Sequence, residues 1–230
     1  TVTLQAAQGA AVYYTTDGSE PTQASALYTA PVAVSASMQL RARAFQSGWL
    51  PSSIMNASYQ IDSTLPTIIA RPSSGPNGDG WYTGPVLVSF ECADAVGIAS
   101  CPTPILVASE GANQNVSGTA FDLAGNQATA SVTISIDKTP PSLVVTPDED
   151  LTTSDSSVAI EATASDALSG VASATCNGVS TQVGGGGAIQ CTVPLRPGTN
   201  SVVISVGDTA RHSRSFGIRV RRTEPVLSIT

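Results

Sequence analysis

One phrase occurs three times in this chain and constrains its fold more than any other feature. It reads Ile136-Asp137-Lys138-Thr139-Pro140-Pro141 before Ser142-Leu143-Val144-Val145-Thr146. It returns as Ile61-Asp62-Ser63-Thr64-Leu65-Pro66 before Thr67-Ile68-Ile69-Ala70, and as Val220-Arg221-Arg222-Thr223-Glu224-Pro225 before Val226-Leu227-Ser228-Ile229-Thr230. Each copy places a proline-bearing joint between two β-rich runs. Proline fixes its own φ and pushes its predecessor into extended backbone, so each joint is expected to be short and stiff. Asp62 and Asp137 are 75 positions apart, and Asp137 and Arg221 are 84 apart. A repeat of that length suits one small all-β domain per interval. The expected division is 1–61, 62–136 and 137–221, with 222–230 as the opening strand of a further repeat. Such a row should scatter as an elongated particle, with a radius of gyration above the roughly 17 Å of a single 230-residue domain.

The composition agrees with strands. Aromatic residues make up 5% and charged residues 12% of the 230 positions, and Thr, Ser, Val, Ala and Gly dominate, a mixture that suits half-buried pleated surfaces. Val86, Val88, Phe90 and Cys92 alternate with Leu87, Ser89 and Glu91, as do Val158, Ile160, Ala162 and Ala164 in the next repeat. Further strands are expected at Thr1–Leu4, Val116–Phe121, Val132–Ile136, around Val202-Ile204-Val206 and around Phe216-Ile218-Val220, with a turn at Gly184–Gly187. The formal charge of −7 opposes binding to nucleic acid. No apolar run of about 18 residues is present, so no membrane insertion is expected, and any export signal is expected outside this sequence.

Four cysteines allow three pairings. One pair per repeat favours the local ones, Cys92–Cys101 and Cys176–Cys191. Neither pair has Cys-x-x-Cys spacing, and a lone histidine cannot complete a zinc site with them. Closed disulfides place the protein in an oxidising compartment, hence extracellular or at a bacterial cell surface. In the chain-entropy picture each contributes roughly 2–3 kcal/mol.

Residues 1–61 carry Tyr13-Tyr14-Thr15-Thr16-Asp17-Gly18-Ser19-Glu20-Pro21-Thr22, then Leu27-Tyr28-Thr29-Ala30-Pro31 and Leu40-Arg41-Ala42-Arg43-Ala44, with Trp49 and Tyr59 beyond. Asp-Gly after a β-rich run is a strong turn signal. This stretch resembles the C-terminal β-sandwich module of the chitobiase/β-hexosaminidase family. The resemblance implies a non-catalytic appendage of secreted glycosidases or large surface proteins. It also implies that a strand is missing before Thr1, which would leave a sheet edge there unpaired.

The next two repeats share internal phrases. Ala93-Asp94-Ala95-Val96-Gly97-Ile98 corresponds to Ser165-Asp166-Ala167-Leu168-Ser169-Gly170-Val171, and Phe121-Asp122-Leu123-Ala124-Gly125-Asn126 to Gly207-Asp208-Thr209-Ala210-Arg211-His212. These phrases, over residues 62–221, resemble tandem bacterial immunoglobulin-like repeats, which carry Asp-x-Ala-Gly-Asn before the last strand. The fold class implied is all-β, a row of immunoglobulin-like or fibronectin-III-like β-sandwiches. Arg211 stands where the pattern has Gly125; if that position needs positive φ, either Arg211 is strained or the turn differs.

Several residues invite a chemical reading, each beside a plainer one. His212 with Ser213 lacks the surroundings of a triad, and an exposed loop histidine is the ordinary reading. Glu91, Glu110 and Glu161 are isolated and supply no facing carboxylate pair, so the chain is read as no enzyme. Asp148-Glu149-Asp150, with Asp155, is the densest acidic run and the candidate for a calcium loop; no other cofactor is expected. Asp62, Asp94, Asp122, Asp137, Asp166 and Asp208 recur at repeat corners, where capping a turn is the default role and calcium the alternative. Trp49, Trp81 and Tyr82 could stack on sugar rings, or cover the end of a core. Arg211, Arg214, Arg219, Arg221 and Arg222 are expected to blunt an exposed edge strand rather than meet an acidic polymer.

The function expected is a structural or adhesive stalk segment whose partners are neighbouring modules of a larger exported protein. The alternative is an accessory carbohydrate-binding region of a polysaccharide-degrading enzyme. Val226, Leu227 and Ile229 form a candidate donated strand that could complete the first module of another copy and build a filament.

Overall fold

The alternation of apolar and small polar residues produces strands almost everywhere. The computed structural model describes residues 1–224. Its strands are β1 (Ala11–Thr15), β2 (Ala26–Leu27), β3 (Met38–Phe45), β4 (Met55–Tyr59), β5 (Thr67–Pro72) and β6 (Val86–Ala93). Then follow β7 (Ile98–Ser100), β8 (Ile105–Val107), β9 (Gly111–Asp122), β10 (Gln127–Ile136), β11 (Ser142–Thr146) and β12 (Leu151–Thr153). The last are β13 (Ser157–Ser165), β14 (Val171–Cys176), β15 (Val179–Thr181), β16 (Ala188–Pro194), β17 (Gly198–Asp208) and β18 (Ser213–Arg222). The fold is all-β. In chain order a four-stranded sheet comes first, then the strands of two three-stranded sheets, β5-β6-β8 and β10-β9-β7, then those of two further sheets. The joints at 61–66 and 137–141 have no regular structure.

The chain gathers into two compact units, and residues 62–136 contribute to both. One unit comprises Thr1–Ile68, Cys92–Cys101 and Thr119–Ala128. Its sheet runs β2-β1-β3-β4, with Tyr13 opposite Arg43 and Leu40 opposite Ala57. The core of residues 1–61 is slight: Val32, Leu40 and Ala42 are its buried apolar side chains. Tyr13 packs edge-on against Phe45, with ring centres 5.6 Å apart. The strand expected at Thr1–Leu4 is a single bridge, in which Val2 and Val32 exchange both backbone hydrogen bonds at 2.8 and 2.9 Å.

The other unit comprises Ile69–Glu91, Pro102–Gly118 and the chain from Thr129 onward. Here β11-β13-β16 and the five-stranded β12-β18-β17-β14-β15 enclose one core. Ile160, Ala162 and Ala164 of β13 and Ile189, Cys191 and Val193 of β16 meet Val202, Ile204 and Val206 of β17 and Ile218 and Val220 of β18. Two sheets sharing their inner faces make a β-sandwich. The Cys176–Cys191 disulfide links β14 of one sheet to β16 of the other. At the Gly184–Gly187 turn a short 3-10 segment spans Gly185–Gly187, and a Cβ on Gly187, at φ +81°, would overlap the Ala164 carbonyl. Only glycine fits there.

One expectation is overturned in part by the strand order. β18 lies between β12, which it pairs in parallel, and β17. Arg221 and Arg222 therefore do not lie on an edge, whereas over residues 213–219, which include Arg214 and Arg219, β18 pairs among the described residues with β17 alone, and there the expected edge stands. The segment Val226, Leu227 and Ile229 lies outside the described residues.

Candidate functional site

The residues that converge are the corner aspartates. Each turn phrase Asp-x-Ala-x-x folds by the same local bonds. In the first copy the Asp122 N–H donates to the Asn126 carbonyl at 3.1 Å, the Gly125 N–H to the Asp122 carbonyl at 3.3 Å, and the Asn126 N–H to Asp122 Oδ1 at 2.9 Å. In the second the Asp208 N–H donates to the His212 carbonyl at 3.0 Å, the Arg211 N–H to the Asp208 carbonyl at 3.3 Å, and the His212 N–H to Asp208 Oδ1 at 2.8 Å. Asp carboxylates mimic a turn carbonyl in this way.

The two other aspartates of each set are equally local. Asp94 Oδ1 accepts from the N–H groups of Val96 and Gly97, at 2.8 and 3.1 Å. Asp166 Oδ1 accepts from those of Leu168 and Gly170, at 3.1 and 2.7 Å. In the joints, Asp62 Oδ1 takes the Thr64 N–H and Asp137 Oδ1 the Thr139 N–H, at 2.9 and 3.0 Å.

Long-range folding then brings each set together. Asp62, Asp94 and Asp122 each offer a carboxylate oxygen within 4.8 Å of the others', and so do Asp137, Asp166 and Asp208. The first set lies wholly in one compact unit and the second wholly in the other. Asp122, Asp137 and Asp208 are buried. Among the described residues no lysine or arginine comes within 4.0 Å of any of the six carboxylates; the sole basic group that does is His212, whose Nδ1 is 3.4 Å from Asp208 Oδ2. Burial raises the Asp122 carboxyl, but hydrogen bonds from the Asn126 side chain and from the Asn126, Ala124 and Gly125 backbone outweigh it and hold the group below its ordinary value. These six aspartates thus have both roles considered from the sequence within geometric reach: they cap turns, and their oxygens converge.

The acidic run singled out in sequence does not converge. Asp148, Glu149 and Asp150 are all exposed and form no carboxylate cluster. Asp150 is committed to β18, accepting from the Arg219 backbone N–H and from its Nε at 2.9 and 3.0 Å. The proximity of three acids in sequence says nothing about where their oxygens point: the segment between β11 and β12 bends at Pro147 and again at Glu149.

The aromatic candidates also separate. Tyr82 is buried, bridges Ile136, and donates its hydroxyl to the Ser74 carbonyl at 3.2 Å. Burial raises its phenol above the ordinary value. Trp81 is half-buried beside Asn77 and Arg211. Trp49 covers no core: it is 75% exposed, with Leu50 and Met55 exposed beside it around an open cavity also lined by Gln46 and Ser52. His212 is half-buried against Asp208 rather than an exposed loop residue. Glu91 pairs with Arg71 at the surface at 2.8 Å, and Glu110 accepts from Thr139 and from the Lys138 backbone N–H.

Comparison with known proteins bears on the first residues. Residues 1–57 match the chitobiase/beta-hexosaminidase C-terminal domain family. The stretch that carries the resemblance, from Tyr13 to Ala44, lies inside the match. No curated protein sequence matches the chain. Among solved structures, the fibronectin(III)-like modules of Clostridium thermocellum CbhA align over 69% of this chain and 95% of theirs, at 9% identity and TM-score 0.35. A 1.5-MDa bacterial ice-binding adhesin aligns over 94% of this chain and 87% of its own, at 15% identity and TM-score 0.36. Sidekick-1 immunoglobulin domains 1-5 align over 95% of this chain and 53% of theirs, at 12% identity and TM-score 0.34. Both cysteine pairs are closed within their repeats, which fits an oxidising, extracellular setting, and no helix among the described residues could cross a membrane.

Proposed function

We propose that this chain is a non-catalytic spacer of an exported bacterial surface protein: three β modules at 1–61, 62–136 and 137–221, joined by braced seams, whose task is to hold or present something away from a surface. The observation that carries this reading is how each joint is held from both of its flanks. At the first joint, Ser37 Oγ exchanges hydrogen bonds with the Ile61 N–H and carbonyl, at 2.9 and 3.1 Å. From the following repeat, Asn126 Nδ2 donates to the Asp62 and Thr64 carbonyls at 3.3 and 3.0 Å. At the second joint, the Asp137 N–H donates to the Tyr82 carbonyl at 3.0 Å, and Thr139 Oγ1 donates to Glu110. From the other side, the Ser169 N–H donates to Asp137 Oδ2 at 3.2 Å. A linker meant to swing would leave its backbone to water.

The test is to stretch the full chain between its ends by single-molecule force spectroscopy. A spacer should give separate unfolding events at forces typical of β-sandwiches, the disulfide-closed loops remaining unextended. A chain that extends smoothly without discrete events would defeat the reading.

A second reading rests on Trp49. An exposed indole beside Gln46 and Ser52 can stack on a sugar ring, as an accessory polysaccharide-binding region requires. Glycan-array binding lost in Trp49→Ala would favour it, and an array silent for the native chain would remove it.

A further inference from the structure

We infer that Asp137, Asp166 and Asp208 form a binding site for a divalent cation of the calcium class. Three carboxylate oxygens from three separated segments lie within 4.8 Å of one another, with Asp137 and Asp208 buried and Asp166 partly so. Like charges gathered in a low-dielectric place repel strongly unless something positive lies between them. No lysine or arginine among the described residues does so; His212 Nδ1 approaches Asp208 Oδ2 at 3.4 Å but makes no hydrogen bond to it.

Asp208 supplies the second, independent observation. Its side chain is fully buried; Oδ1 takes the His212 N–H, while Oδ2 is buried without any hydrogen-bond partner. A buried carboxylate oxygen left empty is costly, and turn capping, which uses only Oδ1, does not account for it. Asp166 likewise caps its turn through Oδ1, and the contact to Asp137 Oδ2 is a long 3.2 Å from the Ser169 N–H.

The donor set selects the ion. All-oxygen carboxylate ligands suit a hard cation, and oxygens on opposite sides of a calcium ion are about 4.6–5.2 Å apart, against about 4.0–4.2 Å for magnesium. Because all three oxygens lie within 4.8 Å of one another, one calcium can touch all three at once. Bound there, it ties the joint at Asp137 to the Asp166 turn after β13 and the Asp208 turn after β17. Open positions around the ion would be filled by water, as is usual for extracellular sites with dissociation constants of about 10⁻⁴–10⁻³ M.

The experiment is a calorimetric titration of the full chain with calcium chloride after chelation, alongside thermal unfolding. Native protein should bind calcium at micromolar-to-millimolar concentration, and saturating calcium should raise the unfolding temperature of the segment holding these aspartates by about 5 °C. Asp208→Asn and Asp166→Asn should each lower the stoichiometry by one ion, and Asp148→Asn should leave it unchanged. Asp166 is only partly buried, so its variant carries the test should Asp208→Asn fail to fold. No heat and no shift in the native chain at millimolar calcium would overturn the proposal, as would unchanged stoichiometry in Asp166→Asn.

Discussion

The turn at Asp122–Asn126 and the turn at Asp208–His212 have the same backbone and different side chains, and the difference shows what holds such a turn. Gly125 sits at φ +91° and Arg211 at φ +77°, so arginine adopts the left-handed conformation that the glycine of the other copy takes freely. The strain expected from the sequence is therefore real, since a non-glycine residue pays about 1–2 kcal/mol there. The turn forms nonetheless, because the aspartate carboxylate and the i to i+4 backbone bond impose it in both copies. What changes is satisfaction. Asn126 Nδ2 donates to Asp122 Oδ2 at 2.8 Å, whereas His212 leaves Asp208 Oδ2 without a hydrogen bond. One turn closes its buried carboxylate with an amide, and the buried oxygen without a hydrogen bond in that set is Asp62 Oδ2 of the joint; in the other set it is Asp208 Oδ2 of the turn itself.

The largest effect that could test the likeness of the two repeats comes from their disulfides. Replacing Cys176 and Cys191 together with alanine should cost roughly 3 kcal/mol, and Cys92 with Cys101 slightly less, because their sequence separations are 15 and 9. Denaturant unfolding of the two double variants checks this, and a cost well under 1 kcal/mol for either would show that its repeat does not depend on the staple.

Next comes Asn126→Ala. It removes donors to Asp62, Thr64 and Asp122 and strands a buried oxygen, for an expected loss of about 1–3 kcal/mol. Chemical denaturation measures it, and a neutral outcome would mean that the amide does not distinguish the copies. The reciprocal change, His212→Asn, should supply the missing donor to Asp208 and stabilise the chelated protein by about 1 kcal/mol. If it destabilises instead, the present His212 contact is worth more than its 3.4 Å geometry suggests.

The smallest effect lies in the backbone. Gly125→Ala should cost about 1 kcal/mol for conformation alone, since no atom lies within 4 Å of the added Cβ. Arg211→Gly should gain about 0.5 kcal/mol, the relieved strain being partly offset by the greater freedom of glycine when unfolded. Opposite signs for these two changes, read from thermal unfolding midpoints, would confirm that the copies share one turn.

Much of this molecule is determined by sequence alone. Period-two alternation places Val86, Val88 and Phe90, or Ile160, Ala162 and Ala164, on the inner faces of strands, because pleating sends successive side chains to opposite sides. The joints follow from proline chemistry, and the turns from Asp beside small residues. What alternation cannot state is which strand lies next to which. Only tertiary pairing puts β12 outside the end of β18 and so makes Arg221 and Arg222 interior to the sheet. The same holds for Trp49, whose exposure depends on what happens not to pack over it, and for the acidic residues. Asp148, Glu149 and Asp150 are neighbours in sequence and form no cluster in the bent segment before β12, while Asp137, Asp166 and Asp208 are far apart in sequence and meet because a joint and two inter-strand turns arrive at one end of the same sandwich. A cation site is a property of convergence, and convergence is decided by which turns the sheets bring together, a long-range outcome that no local spacing encodes.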